Sequence, residues 1–223
     1  MDMRAGTPLR AAIFDLDGTL VATEEHNQVV WRAFLSERGV DWADDDLAAR
    51  VIGRRGLDVL TEHAHAFGGE TPQELYDAVL AVDARMTRPG PADPVAGAVE
   101  LVRALAGHGV RLALVTSRWR VSAQEILALL GVLDDFEVLI TAEDVTAGKP
   151  DPQGFLLALD RLGVAADDAI AFEDSAPGVA SAVAAGLRTI AVTATPTAAV
   201  VDLAERVVTD LTAVDADDLV RHS

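Results

Sequence analysis

Three features of this sequence predict an α/β fold built on a parallel sheet. Short apolar runs end abruptly in polar residues followed by a turn signal, and longer helical patterns separate them. One interval, residues 23–88, carries helical patterns alone. Alternation of buried strand and helix is the pattern of βαβ units, and an interval without strands reads as an insertion into them.

The elements follow in order. Ala11-Ala12-Ile13-Phe14 runs into Asp15, Leu112-Ala113-Leu114-Val115 into Thr116-Ser117, and Ala169-Ile170-Ala171-Phe172 into Glu173-Asp174. Each run is too short and too continuously apolar for a surface helix and suits a strand covered on both faces. Further strands are expected at residues 138–141, 189–192 and 207–208, and helices at 95–108, 121–130, 153–162 and 178–185. Inside the insertion, helical patterns span 24–38, 44–51, 57–67 and 72–86. Its connections would be residues 18–23 and the turn-rich Arg88-Pro89-Gly90-Pro91. The expected organisation is a core of residues 1–22 plus 89–223, with 23–88 inserted as a helical domain. The Asp-rich stretch at 215–218 reads as a solvated terminal helix.

Composition narrows the function classes. At 223 residues, 50% hydrophobic and 24% charged, the chain can bury a sizeable core and is not a disordered polymer. Eighteen basic against 36 acidic residues give a net charge of −18, which opposes any surface that must neutralise nucleic-acid phosphates or lie on anionic lipid. The absence of cysteine excludes disulfides, thiol nucleophiles and thiolate-ligated metals. Arg4 is followed by no apolar leader segment, and no run of about 18 apolar residues occurs. A cytoplasmic protein without nucleic-acid or membrane partners is expected.

The chemistry gathers at the strand ends, where open parallel sheets bind ligands. Asp15-Leu16-Asp17 places two carboxylates directly after a strand, and Gly18 then permits a tight turn. Carboxylates forced together share a proton or a cation. With Glu173 and Asp174 from another strand end they make an oxygen-rich set suited to Mg²⁺. Lys149 is the only lysine among 18 basic residues, and Gly148-Lys149-Pro150-Asp151-Pro152 holds it in a constrained loop, where its ammonium would neutralise a phosphate or an aspartate. Thr116 and Ser117 would either offer a hydroxyl and backbone N–H groups to phosphate oxygens or serve as a plain helix N-cap.

These parts suit phosphoryl transfer to an aspartate, followed by hydrolysis of the aspartyl-phosphate. No GxxxxGK[ST] phosphate loop is present. In the insertion, the loop Gly53-Arg54-Arg55-Gly56 would either present Arg54 and Arg55 to a substrate or be a solvated connection. Glu24, His26 and Asn27 would select substrate hydroxyls or merely form a first helical turn. Trp31 and Phe34 should be core. His63 and His65, two apart in a helical pattern, should not share a face.

Taken together, the residues resemble the haloacid dehalogenase superfamily, whose four motifs occur in order. They are Asp15-Leu16-Asp17-Gly18-Thr19, Val115-Thr116-Ser117, Gly148-Lys149-Pro150-Asp151-Pro152, and Phe172-Glu173-Asp174-Ser175 followed by Pro177-Gly178. The resemblance covers about residues 9–211, and the insertion resembles the small helical cap of the β-phosphoglucomutase-like and sugar-phosphatase branch. It implies a Rossmann-like core with a mobile cap. It also implies Asp15 as nucleophile, Asp17 as acid and base, Thr116 and Lys149 as phosphate binders, and Asp15, the Asp17 carbonyl, Glu173 and Asp174 as the Mg²⁺ shell. Ser117, Glu24, Asn27, Arg54 and Arg55 would contact substrate. The second aspartate, Asp17, points to phosphate esters, since dehalogenases of the superfamily lack it.

The expected activity is therefore an Mg²⁺-dependent phosphatase acting on sugar or polyol monophosphates, as a monomer or weak homodimer. A phosphosugar mutase is the first alternative, and a non-catalytic phospho-ligand sensor an alternative of another class. Mutases of the branch typically show Ser-Lys-Asn near the second motif and a cap histidine. Here Ser117 precedes Arg118-Trp119-Arg120, and the aligned cap position holds Asn27, with His26 beside it. Ala22 stands where the family is usually acidic after the first motif.

Overall fold

The protein is described as a computed structural model covering residues 9–86 and 93–222. Its elements run β1 (Ala11–Phe14), α1 (Glu24–Glu37), α2 (Asp44–Val51), α3 (Gly56–Glu62), α4 (Pro72–Arg85), α5 (Ala98–Gly107), β2 (Arg111–Val115), α6 (Arg120–Leu130), β3 (Val138–Ile140), α7 (Gln153–Leu162), β4 (Ala169–Glu173), α8 (Ala176–Ala184), β5 (Arg188–Val192), α9 (Ala198–Leu203), β6 (Arg206–Val208) and α10 (Ala216–His222). The six strands form one parallel sheet in the order β3-β2-β1-β4-β5-β6. The chain winds outward from β1 to β3, then returns to the far side of β1 and winds the other way. This is the Rossmann-like order, and its reversal lies between β1 and β4.

Alternation along each strand explains why both faces are apolar. Ala12, Phe14, Leu112, Leu114, Ile170 and Phe172 pack under α5 and α6. The intervening Ala11, Ile13, Ala113, Val115, Ala169 and Ala171 pack under α7. Successive side chains point to opposite faces, so a strand covered on both sides shows no polar alternation in sequence. Phe14 and Phe172 are register partners on β1 and β4, and their rings stack with centroids 4.5 Å apart.

Helices α1–α4 bury a cluster of their own around Trp31, Phe34, Leu47, Leu60, Phe67 and Leu75. Trp31 and Phe34 are core, as their spacing predicts. The connection into this cluster runs beside the returning chain: Ala22 N donates to Asp93 O (2.9 Å) and Val95 N to Leu20 O (3.0 Å). The stretch Arg88-Pro89-Gly90-Pro91 lies outside the described residues. Among the described residues, no helix is long and apolar enough to cross a membrane.

Several boundaries differ from the sequence reading for local reasons. The helix expected over 57–67 ends at Glu62, and His63 leads into a 3-10 turn, Ala64–Ala66. The break brings the His63 and His65 rings to 6.2 Å, so the inference that they face apart, which assumed a continuous helix, fails. Helix α5 starts at Ala98 because Gly97 adopts φ +80°, and a Cβ there would lie 2.5 Å from Thr212 N. Helix α8 starts before Gly178 because Pro177 sits in its first turn, where a missing N–H costs nothing. Helix α9 follows no apolar periodicity in the sequence; Thr197 caps it by accepting from Val200 N. Neither Thr116 nor Ser117 is an N-cap, since α6 begins at Arg120 with Trp119 in the cap position.

Phe34 is fully buried among α1–α4, with ring centroids 5.7 Å from Trp31 and 5.6 Å from Phe67. Phe34→Ala should destabilise this helical cluster by about 3–5 kcal/mol. Urea unfolding followed by hydrogen exchange would localise the loss to residues 24–86, leaving protection of the sheet unchanged.

Candidate active site

The site stands at the reversal point of the sheet. Asp15 follows β1 directly, and its backbone N–H is tied to Phe172 O of β4 at 2.9 Å. The chain then turns tightly, with Gly18 N donating to Val21 O (2.7 Å) and Gly18 at φ +79°. A Cβ on Gly18 would lie 2.1 Å from Asp174 Oδ2. Glycine is required twice here, by the backbone conformation and by the carboxylate packed against it.

Lys149 occupies the centre and is 6% exposed, which excludes a solvated surface lysine. Its Nζ donates to Asp15 Oδ1 (2.5 Å), to Glu173 Oε1 and to Val115 O (3.2 Å). The other Glu173 oxygen accepts from Ser175 N and Ser175 Oγ, both at 2.9 Å. Glu173 is thus held from both sides, and Gly178 leaves room for it: a Cβ there would fall 1.8 Å from Oε1. Burial works against the ammonium, but the charges of Asp15 and Glu173 outweigh it and raise the Lys149 pKa above its ordinary value.

Asp15, Glu173 and Asp174 bring carboxylate oxygens within 4.8 Å of one another. Burial, reinforced by Glu173 and Asp17 and opposed by Lys149, pushes Asp15 up to about 8. Burial and the charges of Glu173, Asp15 and Glu24 likewise push Asp174 well above the usual carboxylate range. A mutually repelling, all-oxygen donor set, buried at Asp15 and Glu173 and half-buried at Asp174, fits a small hard divalent cation.

Asp17 has the opposite electrostatics. Burial alone would raise its pKa, but Arg118 lowers it below the ordinary range, helped by Thr23 and Asn27. The Arg118 fork is bidentate, with Nε 2.6 Å from Oδ2 and Nη2 2.6 Å from Oδ1, and the Thr23 hydroxyl donates to Oδ1 as well.

Above Asp15 and Asp17 opens a cavity of about 280 Å³ between the sheet end and α1–α4. Glu24, Asn27, Arg54 and Ser117 line it, together with the aromatic rings of Trp31, Tyr76 and Trp119. Burial and the neighbouring Asp17 charge push Glu24 up to about 7. Arg54 pairs with Glu62 at 2.5 Å through Nη2, while its buried Nε has no protein partner. Tyr76 and Trp119 bridge the two sides, with Trp119 Nε1 donating to Tyr76 OH at 2.8 Å.

The structure thus gathers most of the sequence-selected residues and separates three: His26, which pairs with Asp83 at 2.7 Å and does not line the cavity, Thr116 and Arg55. Thr116 is buried beside Lys149 in a second, smaller cavity, where its Oγ1 accepts from Arg118 N at 3.1 Å. Arg55 does not line the large cavity; its guanidinium is spent on Asp58 and on carbonyls of the loop before Lys149. The residues that sequence reasoning passed over are Arg118, Tyr76, Trp119 and Asp58. Arg118 and Trp119 stood directly after the second strand end, a position signal that reading used only to weigh mutase against phosphatase. Tyr76 and Asp58 carried no signal, because their partners are 43 and 90 residues away.

Comparison with known proteins agrees with this geometry. The chain is 38% identical over 205 residues to validoxylamine A 7'-phosphate phosphatase of Streptomyces hygroscopicus subsp. limoneus, covering 92% of this chain and 95% of that one. It is 32% identical to the phosphorylated carbohydrates phosphatase of Thermotoga maritima, over 82% of this chain and 84% of that one. It is 27% identical to β-phosphoglucomutase of Bacillus subtilis, over 92% of each. The sequence profile of the haloacid dehalogenase-like hydrolases matches residues 12–192, and with the motif residues assembled at the reversal point of the sheet, the chain belongs to that family.

Proposed function

We propose that this protein is an Mg²⁺-dependent phosphatase that hydrolyses sugar or polyol monophosphates in the cytoplasm through an aspartyl-phosphate on Asp15. It belongs to a hydrolase family and has phosphatases among its relatives. The observation that carries the finer reading is the buried Asp15–Lys149–Glu173 cluster beside Asp174, opening into a cavity roofed by the helical insertion. The proposed cap is residues 23–88, with residues 1–22 and 89–223 as core.

In this reading an Asp15 oxygen attacks phosphorus and the bond to the ester oxygen breaks. Asp17 supplies a proton to the leaving alcohol. Asp17 then takes a proton from water, which attacks the aspartyl-phosphate, releasing inorganic phosphate and restoring Asp15. Lys149 holds positive charge where the phosphoryl oxygens gather, with Thr116 beside it in the smaller cavity and Ser117 on the wall of the large one. Asp15, Glu173, Asp174 and the Asp17 carbonyl would hold Mg²⁺, which supplies further charge against those oxygens when bound.

Arg118 keeps Asp17 ionised, so it must leave Asp17 before the acid step. An incoming phosphate dianion offers it another partner. The cavity combines ring faces with hydroxyl partners such as Glu24, Asn27 and the free Arg54 Nε, a lining suited to a cyclic polyol.

The decisive assay supplies Mg²⁺ with β-glucose 1-phosphate, glucose 6-phosphate and a panel of sugar and polyol phosphates, scoring inorganic phosphate and isomerised ester. Phosphate release without isomerisation is expected. Isomerisation with little release would establish the mutase, and binding without turnover the sensor.

Asp15→Asn should lower turnover by about 10³-fold or more while leaving the fold intact by circular dichroism. Chelation should abolish activity, and Mg²⁺ should restore it. Gly18→Ala, which drives a methyl into Asp174, should raise the Mg²⁺ concentration needed for half-maximal activity; an unchanged requirement would remove Asp174 from the metal set.

A further inference from the structure

The side chain of Arg55 crosses from the helical insertion to the core and ends among backbone carbonyls. Its Nη1 donates to Ala142 O (3.2 Å) and Val145 O (2.9 Å), and its Nη2 to Thr146 O (3.0 Å). Asp58, one turn along α3, holds the guanidinium through Oδ1, with Nε at 3.0 Å and Nη2 at 2.5 Å. Its other oxygen, Oδ2, accepts from Gly148 N at 3.0 Å.

This pair therefore supplies partners to four backbone groups of the loop between β3 and α7, the loop that carries Lys149 directly after Gly148. From below, Gln153 Oε1 accepts from Thr146 N and Ala147 N, both at 2.9 Å. The contact is closely fitted: a Cβ on Gly148 would lie 2.6 Å from Asp58 Oδ2 and 3.0 Å from Arg55 Cβ. Both side chains are largely withdrawn from solvent, at 14% and 25% exposed.

We propose that Arg55 and Asp58 are positioning residues, tying the seating of the helical insertion to the placement of Lys149 against Asp15 and Glu173. When α3 is seated, the two side chains complete the loop's hydrogen bonding and Lys149 is presented from a fixed backbone. When α3 lifts, water replaces them, the four groups lose a common geometry, and Lys149 is left with Asp15, Glu173 and Val115 O on a loop tied from below through Gln153. The core is thereby assembled for phosphoryl transfer only under a closed roof. The kinetic consequence rests on the phosphatase reading; the structural coupling does not.

The test combines hydrogen exchange and kinetics on the full chain for Arg55→Met, Asp58→Asn and Arg55→Lys. Exchange in residues 142–148 of Arg55→Met should rise about tenfold or more, with α7 unchanged. With Mg²⁺ and p-nitrophenyl phosphate, its kcat should fall about 10- to 100-fold and KM by far less. Asp58→Asn should show a smaller version of both changes, since the amide still offers one acceptor. A loss confined to KM would make Arg55 a substrate contact and overturn the proposal, as would unchanged exchange in the loop.

If Arg55→Met fails to fold, Arg55→Lys decides by the same readouts. It keeps charge and stem without the fork, and wild-type exchange and kcat in it would overturn the proposal. Should the wild type hydrolyse no phosphate ester, the phosphatase reading fails while the exchange experiment still decides the coupling.

Discussion

A buried ammonium governs the centre of this protein. Lys149, withdrawn from water behind the sheet end, is tolerable only with opposite charge in direct contact, because an unpaired buried charge is far costlier than any single contact is favourable. Asp15 and Glu173 provide that charge, and they can do so only because β1 and β4, 158 residues apart in sequence, lie side by side. The reversal of strand order is thus the geometric condition for the charge cluster. The stacked Phe14 and Phe172 rings beneath it fix the two strand ends in register.

The same region separates two chemically identical side chains. Asp15 is buried and Asp17 half-buried, both withdrawn into the same site, yet one is pushed up and the other held down. Asp15 shares its single cation with Glu173 and faces Asp174, whereas Asp17 takes both Nε and Nη2 of Arg118, whose remaining Nη1 turns to Ser122 Oγ. Environments that drive two like groups apart are what assign different roles to a pair of carboxylates. The acidic groups around Asp15 also explain why glycine stands at positions 18 and 178: any side chain there would occupy the space of a carboxylate.

The helical insertion is a separate packing unit with a chemical reach into the core. Its own cluster around Phe34 holds α1–α4 together without help from the sheet. The hydrogen bonds across the boundary join Arg55 and Asp58 to the loop before Lys149, Trp119 to Tyr76, whose rings also meet at 6.2 Å, and Ser117 Oγ to Gly53 O at 3.4 Å. Polar contacts of this kind can be exchanged for water at small net cost, which suits a surface that must open and close.

Much of this was legible in the sequence because it rests on local rules. Apolar runs too short for helices and broken by turn residues marked the strands, and the loss of that rhythm over residues 23–88 marked the insertion. The isolation of Lys149 among arginines marked the centre. The misreadings share a cause, in that local patterns do not report what approaches from elsewhere. The 57–67 pattern continued past a real helix end at His63, and the second motif resembled a cap although α6 starts three residues later. Arg55 looked like a free guanidinium on a loop because its carbonyl partners are 87 to 91 residues away. By itself the sequence determined the α/β class, the inserted helices and the residue types of the charge cluster, since periodicity and motif order are properties of neighbouring residues. Only the tertiary structure decided that Asp17 belongs to Arg118, that Arg55 faces the core, and which rings line the cavity, because those depend on distances between segments that no local pattern encodes.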